Sequence, residues 1–408
     1  MPSKAMGPIT LFDKSFLQSL SADEAVWFDH FSLPVVCPIF YVETLADLAK
    51  EPGKRTAEEL VVDIARKFPE WAGSPCGFHI EMCTCNLFGA EVVMDGRIPR
   101  PGGRTVKRGV VFEQTPEEEA FDRWSKGEFL DVEKVAAGGW RKALSELDLK
   151  KVAGELEMLG IEKKKCRTLE EARDFALEIV NGKERAYARF ALATLLFHIP
   201  PPQHSRLIDR WRGLGEPTFD FAPYAAFVMT IEAFFRIAMA SGLIGTDRVS
   251  NRTDMAYLFY LPFCTLFVSS DALHRKCAPL FMRPDQEFVW GVDLKPSLKS
   301  INAHFLQLPE EQRDKGISAF AHVPPSGNLL AELWDRSLRP GYRKKNSEPR
   351  DPIRDAELVK RFKEFREQPT FDGKLDPDDT EMISVSHTVR HKRGSWWQLP
   401  KDYKEEAA

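Results

Sequence analysis

The chain lacks several features that would have classified it at once. The opening residues, MPSKAMG, hold no apolar core of the kind a secretory signal needs, so export is not expected. No charge of one sign dominates: 61 acidic and 57 basic residues leave a net charge of −4, which excludes generic tight binding to a polyanion. Any nucleic-acid contact would then have to use a local basic patch. The longest apolar run, residues 221–244, is not free of charge: it carries Glu232 and Arg236 near its middle. A charged centre is costly in a bilayer, so this stretch is expected to be a buried helix, with no membrane partner. The seven cysteines are odd in number and scattered, which suggests reduced thiols and a cytoplasmic setting. There is no internal repeat, and no helical pattern follows the Gly102-Gly103 pair, so it does not make a phosphate-binding loop.

What is present begins with size. At 408 residues the chain exceeds what one hydrophobic core usually supports, so two lobes or one heavily inserted domain is expected. The 29 phenylalanines forecast a large aromatic core. Residues 8–48 read as strand, helix, strand, helix, with Ser21 as the N-cap of the first main helix and acids in its first turn. Such alternation points to parallel pairing and an α/β sheet. The pattern then breaks into helical segments near 57–67, 117–124, 132–147 and 169–198. Among them lies a hairpin-like patch, 90–99 with 109–112, linked through 101–104. The α/β pattern resumes at the helix near 224–241 and includes candidate strands at 265–271 and 288–292. The division expected is an α/β core from 1–48 plus 221–300, a mostly helical insertion over 49–220, and an irregular C-terminal extension over 301–408. That extension contains one amphipathic helix, residues 355–367.

Two apolar runs end on a polar turn that holds an aspartate: ITLFDKS, with Asp13, and TLFVSSD, with Asp271. Side chains at the carboxyl ends of parallel strands share one edge of an open α/β sheet, where ligands bind. A third run, residues 33–41, leads into a segment that places Glu43 in the first turn of a helix. Asp254 opens the helical stretch DMAYLFYL just before the second aspartate strand. Four carboxylates on one edge would suit Mg²⁺ or Mn²⁺, hard ions that prefer oxygen ligands. Without an ion they would repel one another and raise each other's pKa values. The plainer alternative is that they are solvated strand ends or helix caps, and Asp254 is the most exposed to it because residues 250–253 already offer caps.

The order strand-Asp13, helix-Glu43, helix-Asp254 and then Ser269-x-Asp271 closing a strand resembles the PIN-like nuclease domain. The resemblance covers roughly residues 8–48 and 225–295, and the text from Asp254 to Asp271 is similar to a bacterial branch of that family. The insertion of roughly 170 residues between the second and third acids departs from its compact members. The resemblance implies a parallel sheet flanked by helices and a metal-dependent nuclease. It implies that Asp13, Glu43, Asp254 and Asp271 are the catalytic, metal-holding acids, with Ser269 in support. It also implies a nucleic-acid substrate, RNA rather than DNA, and leaves room for a regulatory protein partner. The rival reading is a non-catalytic interaction protein on a degenerate fold of this type. A haloacid-dehalogenase-type phosphatase is disfavoured, because the position two after Asp13 is Ser15 where a second aspartate is needed.

Other groups are weighed against blander roles. Glu232 reads as a paired buried acid, with support of the metal cluster as the alternative. Asp47, one turn beyond Glu43, reads as a surface acid. Cys76, His79, Cys83 and Cys85 are zinc-ligand types at an unusual spacing, and buried small thiols are the plainer reading. From the basic run 97–108, side chains such as Arg104, Lys107 or Arg108 are expected near the rim of the cleft. Residues 390–393, RHKR, with Trp396 and Trp397 combine charge and stacking as single-strand binding surfaces do, although a tail docked on the body is preferred. Residues 339–345 are similar, with a linker as the alternative.

Overall fold

The structure is a computed structural model that describes residues 7–51, 53–161, 165–182, 186–214, 218–338, 343, 352–373 and 380–403. Apart from Arg343, the basic segment 339–345 lies outside the described residues.

Five short strands form an all-parallel sheet: β1 (Ile9–Phe12), β2 (Leu33–Val36), β3 (Ser74–Pro75), β6 (Leu266–Ser269) and β7 (Glu287–Trp290). The strand order is β3-β2-β1-β6-β7. All four residues of β6 are buried, as expected of a central parallel strand covered on both faces. Register puts Phe12 opposite Val268 and Ser269 opposite Trp290, so the chain ends of β1, β6 and β7 emerge together. The helix Ala22–Phe31 begins on a reciprocal cap in which Ser21 and Glu24 each satisfy the other's backbone N–H. It packs against Gly291–Leu306 beside the sheet.

The strand β2 is shorter than the apolar run suggests. Residues 38–41 are helical, because Pro38 at the first helical position has its φ preset and no N–H to lose. Glu43 therefore lies in the last turn of the helix Pro38–Leu45, which corrects the expectation of a first-turn position.

The segment 49–220 is mostly helical, but it also supplies β3 to the main sheet. It shares one continuous apolar core with the α/β elements. The helix Pro223–Ala240 runs through that core, packed against Leu149–Met158 and Leu169–Asn181. It is long and apolar enough to cross a membrane, yet here it is buried over nearly its whole length, the situation expected from its sequence.

The hairpin forms differently from expectation. Its strands are β4 (Gly103–Val106) and β5 (Gly109–Phe112), joined through Lys107 and Arg108, the latter with φ of 67°. Residues 90–99 are not a strand. A third strand, β8 (Met382–Val385), pairs in parallel with β5. Gly109 permits this approach, since a Cβ there would stand 2.1 Å from the Met382 carbonyl oxygen. A small separate core of Val106, Val111, Phe365 and Met382 closes the unit.

The end of the described chain is strapped to the body. Arg393 is buried and pairs with the equally buried Asp29 at 2.6 Å, while Asp29 also accepts the backbone N–H groups of Glu70, Trp71 and Ala72. Arg390 pairs with Glu70. Trp396 meets Trp27 edge-on at 4.7 Å, and both indole N–H groups donate to Asn302 Oδ1. The docked tail is therefore the form adopted: Arg390, Arg393 and Trp396 are committed inside the protein rather than offered to a nucleic acid.

Candidate functional site

The four acids come from different segments: Asp13 and Asp271 stand at the carboxyl edge of the sheet, and Glu43 and Asp254, on two helices, are near enough for their charges to act on the others. Asp13, directly after β1, caps the helix Lys14–Ser19 by accepting the Phe16 N–H at 2.9 Å on Oδ1. Its Oδ2 accepts the hydroxyls of Ser15 at 2.6 Å and Ser269 at 2.8 Å. Asp271, two residues past β6, caps Ala272–Cys277 by accepting the Leu273 N–H at 2.7 Å. Ser269 thus joins the two strand ends, because its hydroxyl oxygen also accepts the Asp271 N–H at 2.9 Å. The carboxyl of Glu43 accepts the hydroxyl of Tyr257 at 2.7 Å. Tyr257 lies one turn after Asp254 on the helix Asn251–Tyr257, so this bond ties the second acid to the segment carrying the third.

Burial and mutual charge set the protonation of the cluster. Asp254 is pushed up to about 7, first by burial and then by the charges of Asp271 and Glu43, against the opposing pull of His274 and Arg248. Its Oδ2 is buried and has no hydrogen-bond partner among the described residues. Glu43 is raised by burial, with Lys14 and Tyr257 pulling the other way and the charges of Asp13 and Asp47 adding to the rise. Burial also works on Asp13, but the hydrogen bond and charge of His274 overcome it and hold this carboxyl below its ordinary value. Each acid thus feels at least one other.

Cations that the sequence did not single out complete the site. His274 is fully buried, with Nδ1 2.8 Å from Ser269 Oγ and 3.3 Å from Asp13 Oδ2, and Nε2 2.6 Å from the Asp254 carbonyl oxygen. Burial opposes its charge, yet Asp13 raises its pKa to about 9. Lys14, also buried, donates to the Glu43 carbonyl at 3.0 Å and pairs with Asp47 at 2.6 Å. Asp47 is only 2% exposed, so it is a buried partner of Lys14 and not the surface acid expected. Arg248 stands 3.8 Å from Asp271 with its side chain largely in solvent. A signal existed for His274, which follows Asp271 by one helical turn, and likewise for the neutral Tyr257, which follows Asp254 by one turn.

Glu232 is the paired buried acid preferred from its sequence, and the alternative of joining the cluster is not the one adopted: it is locked between Arg236 and Arg252, each at 2.5 Å, and although burial pushes its pKa up this pairing keeps it low. One sequence expectation fails here, because the hairpin's basic residues turn to the C-terminal segment: Arg104 donates to the carbonyls of Arg366 and Gln368, and Arg108 pairs with Glu381.

Among the described residues no three His, Cys, Asp or Glu side chains stand close enough together to hold an ion unaided. That includes Cys76, His79, Cys83 and Cys85, of which Cys85 is exposed while the others are buried and His79 bonds Tyr260. Magnesium, however, is often held by one or two carboxylates, with water and substrate phosphate completing its shell. Asp254, with its unpartnered buried oxygen, and Asp271, whose charge acts on it, have donor atoms of that chemistry. Asp13, whose Oδ2 already faces three groups, has less capacity left. No family model, curated protein or solved structure matches the chain.

Proposed function

We propose that the protein is a metal-dependent nuclease that hydrolyses phosphodiester bonds, with RNA as the substrate. The carrying observation is Asp254: a carboxyl raised to about 7, with a buried oxygen that nothing satisfies, facing the charges of Asp271 and Glu43. An unsatisfied buried polar atom costs free energy unless it has a use. Perturbed acids grouped at the ligand-binding edge of an α/β sheet mark functional sites. Asp254 and Asp271 would hold Mg²⁺ or Mn²⁺, with Glu43 and Asp13 completing the acidic surround. Such an ion, when bound, supplies Lewis-acid activation of water and neutralises phosphate charge. The protein's own part is orientation. Ser269 and His274 hold Asp13 and the Asp254 backbone in one frame, and Tyr257 aims Glu43. The preference for RNA rests on the PIN-like resemblance alone.

One observation favours a second reading, a non-catalytic interaction protein. Asp13 is saturated by internal donors, and the His274 charge already compensates it. The two are separated by incubating labelled RNA with the protein across a Mn²⁺ titration. Metal-dependent cleavage that disappears in Asp254→Asn and Asp271→Asn supports the nuclease. Absence of cleavage at every Mn²⁺ concentration removes it and leaves the interaction protein.

A further inference from the structure

The acidic edge has a basic and aromatic flank with no role so far. Trp290 ends β7 directly opposite Ser269, two residues before Asp271. Its backbone lies tight against the site: a Cβ on the next residue, Gly291, would stand 2.4 Å from Ser270 Oγ. Arg275 lies one turn beyond Asp271, and its backbone N–H bonds the Asp271 carbonyl. Its guanidinium carbon sits 5.0 Å from the centre of the Trp290 ring. Arg275 is exposed and has no acidic partner among the described residues, unlike Arg97, Arg108, Arg390 and Arg393. Lys276 is its exposed neighbour, and Arg248 stands 3.8 Å from the Asp271 carboxylate.

We infer that Trp290 and Arg275 form a stacking platform for one unpaired nucleobase of a single-stranded RNA, with Arg248 and Lys276 receiving the adjoining phosphates. This names the substrate form and so rests on the nuclease reading. A guanidinium lying over an indole is a planar cationic surface already held in place. Unpaired bases stack on such Arg and aromatic planes, whereas bases inside a duplex keep their faces covered. Arg248 pairs with the Asp271 carboxylate and Arg275 follows Asp271 by one helical turn, so a strand engaging both would bring a phosphate close to that acid. A protein ligand would need a carboxylate to answer these cations, and it would meet the acidic cluster next to them.

The test is binding, separated from cleavage. Fluorescence anisotropy with a labelled eight-nucleotide single-stranded RNA, in EDTA, is compared with the same sequence as a duplex. Single-strand binding should be the tighter, and Arg275→Ala should weaken it about tenfold, within the range for loss of one stacked base. Arg275→Lys, which keeps the charge but not the plane, should lose nearly as much. Trp290→Phe should retain most of the affinity where Trp290→Leu does not, and equal melting temperatures exclude misfolding. Full affinity in Arg275→Lys, equal duplex binding, or no binding by the wild type overturns the inference. Cleavage assays with Mn²⁺ on the same proteins keep the two readings apart. Platform-dependent binding without cleavage sinks only the nuclease; cleavage unaffected by the platform variants sinks only the platform.

Discussion

Asp254 and His274 report the electrostatics of the site in different pH ranges. Asp254 titrates near 3.8 in the unfolded chain and about 7 in the folded one, so the folded protein holds that proton more tightly. Its contribution to stability is complete below about pH 4 and is lost as pH climbs to 7. His274 moves from 6.5 to about 9, so its contribution is complete below 6.5 and is lost as pH rises through 9. Urea denaturation in EDTA from pH 4 to 10 should therefore show stability falling in two stages. Asp254→Asn should flatten the first stage, and His274→Gln the second. A profile left unchanged by both substitutions would mean that the two groups titrate normally. With Mn²⁺ present the melting temperature of the wild type should rise by mass action, and that of Asp254→Asn much less.

At the scale of the element, the site depends on how closely β6 and β7 approach. Gly291→Ala would drive a methyl against Ser270 and against the Phe16 ring, 2.8 Å away. Thermal melting should show a loss of about 1–3 kcal/mol, the usual cost of overpacking. What the sequence could reveal of such elements follows from how local their causes are. Asp13 and Asp271 were readable because each ends an apolar run and caps the helix that follows, a purely local pattern. Glu43 was displaced by most of a helix because the valines of β2 and the aromatic residues 40 and 41 read as one β-forming run; the warning was Pro38 inside it. The hairpin partner was missed because Gly103 reads as a linker, whereas it pairs with Phe112. The strand β8 was beyond local reading, since its partner lies more than 250 positions away. For His274 the local part was readable, one turn after Asp271, but its partners Asp13 and the Asp254 carbonyl are brought to it by β1 and the Asp254 helix.

Taken whole, the molecule is closed by its C-terminal strap. Arg393→Ala would leave Asp29 buried without its cation, and about 3 kcal/mol of stability should be lost in urea unfolding. A loss under 0.5 kcal/mol would show the strap to be superficial. A parallel sheet flanked by helices was legible from the alternation over residues 8–48 and 221–300, which holds four of its five strands; β3, only two residues long, lies among the insertion's helices and left no pattern. The sharing of one core between the insertion and the sheet was not legible, because burial on both sides of a helix leaves no periodic mark.

The central place of β1 has a consequence for synthesis of the chain. Its first neighbour, β2, leaves the ribosome soon after it, but its other neighbour, β6, follows 256 residues later. At translation rates of roughly 5–20 residues per second, the nascent protein spends tens of seconds with the inner edge of β1 unpaired. An open apolar edge is a template for wrong pairing. Through that interval the acidic edge is also only half built, with Asp13 and Glu43 made and Asp254 and Asp271 still to come. Slow translation or late chaperone arrival should therefore be felt first as aggregation of an N-terminal fragment, while a chain released past β7 can seal the sheet by itself.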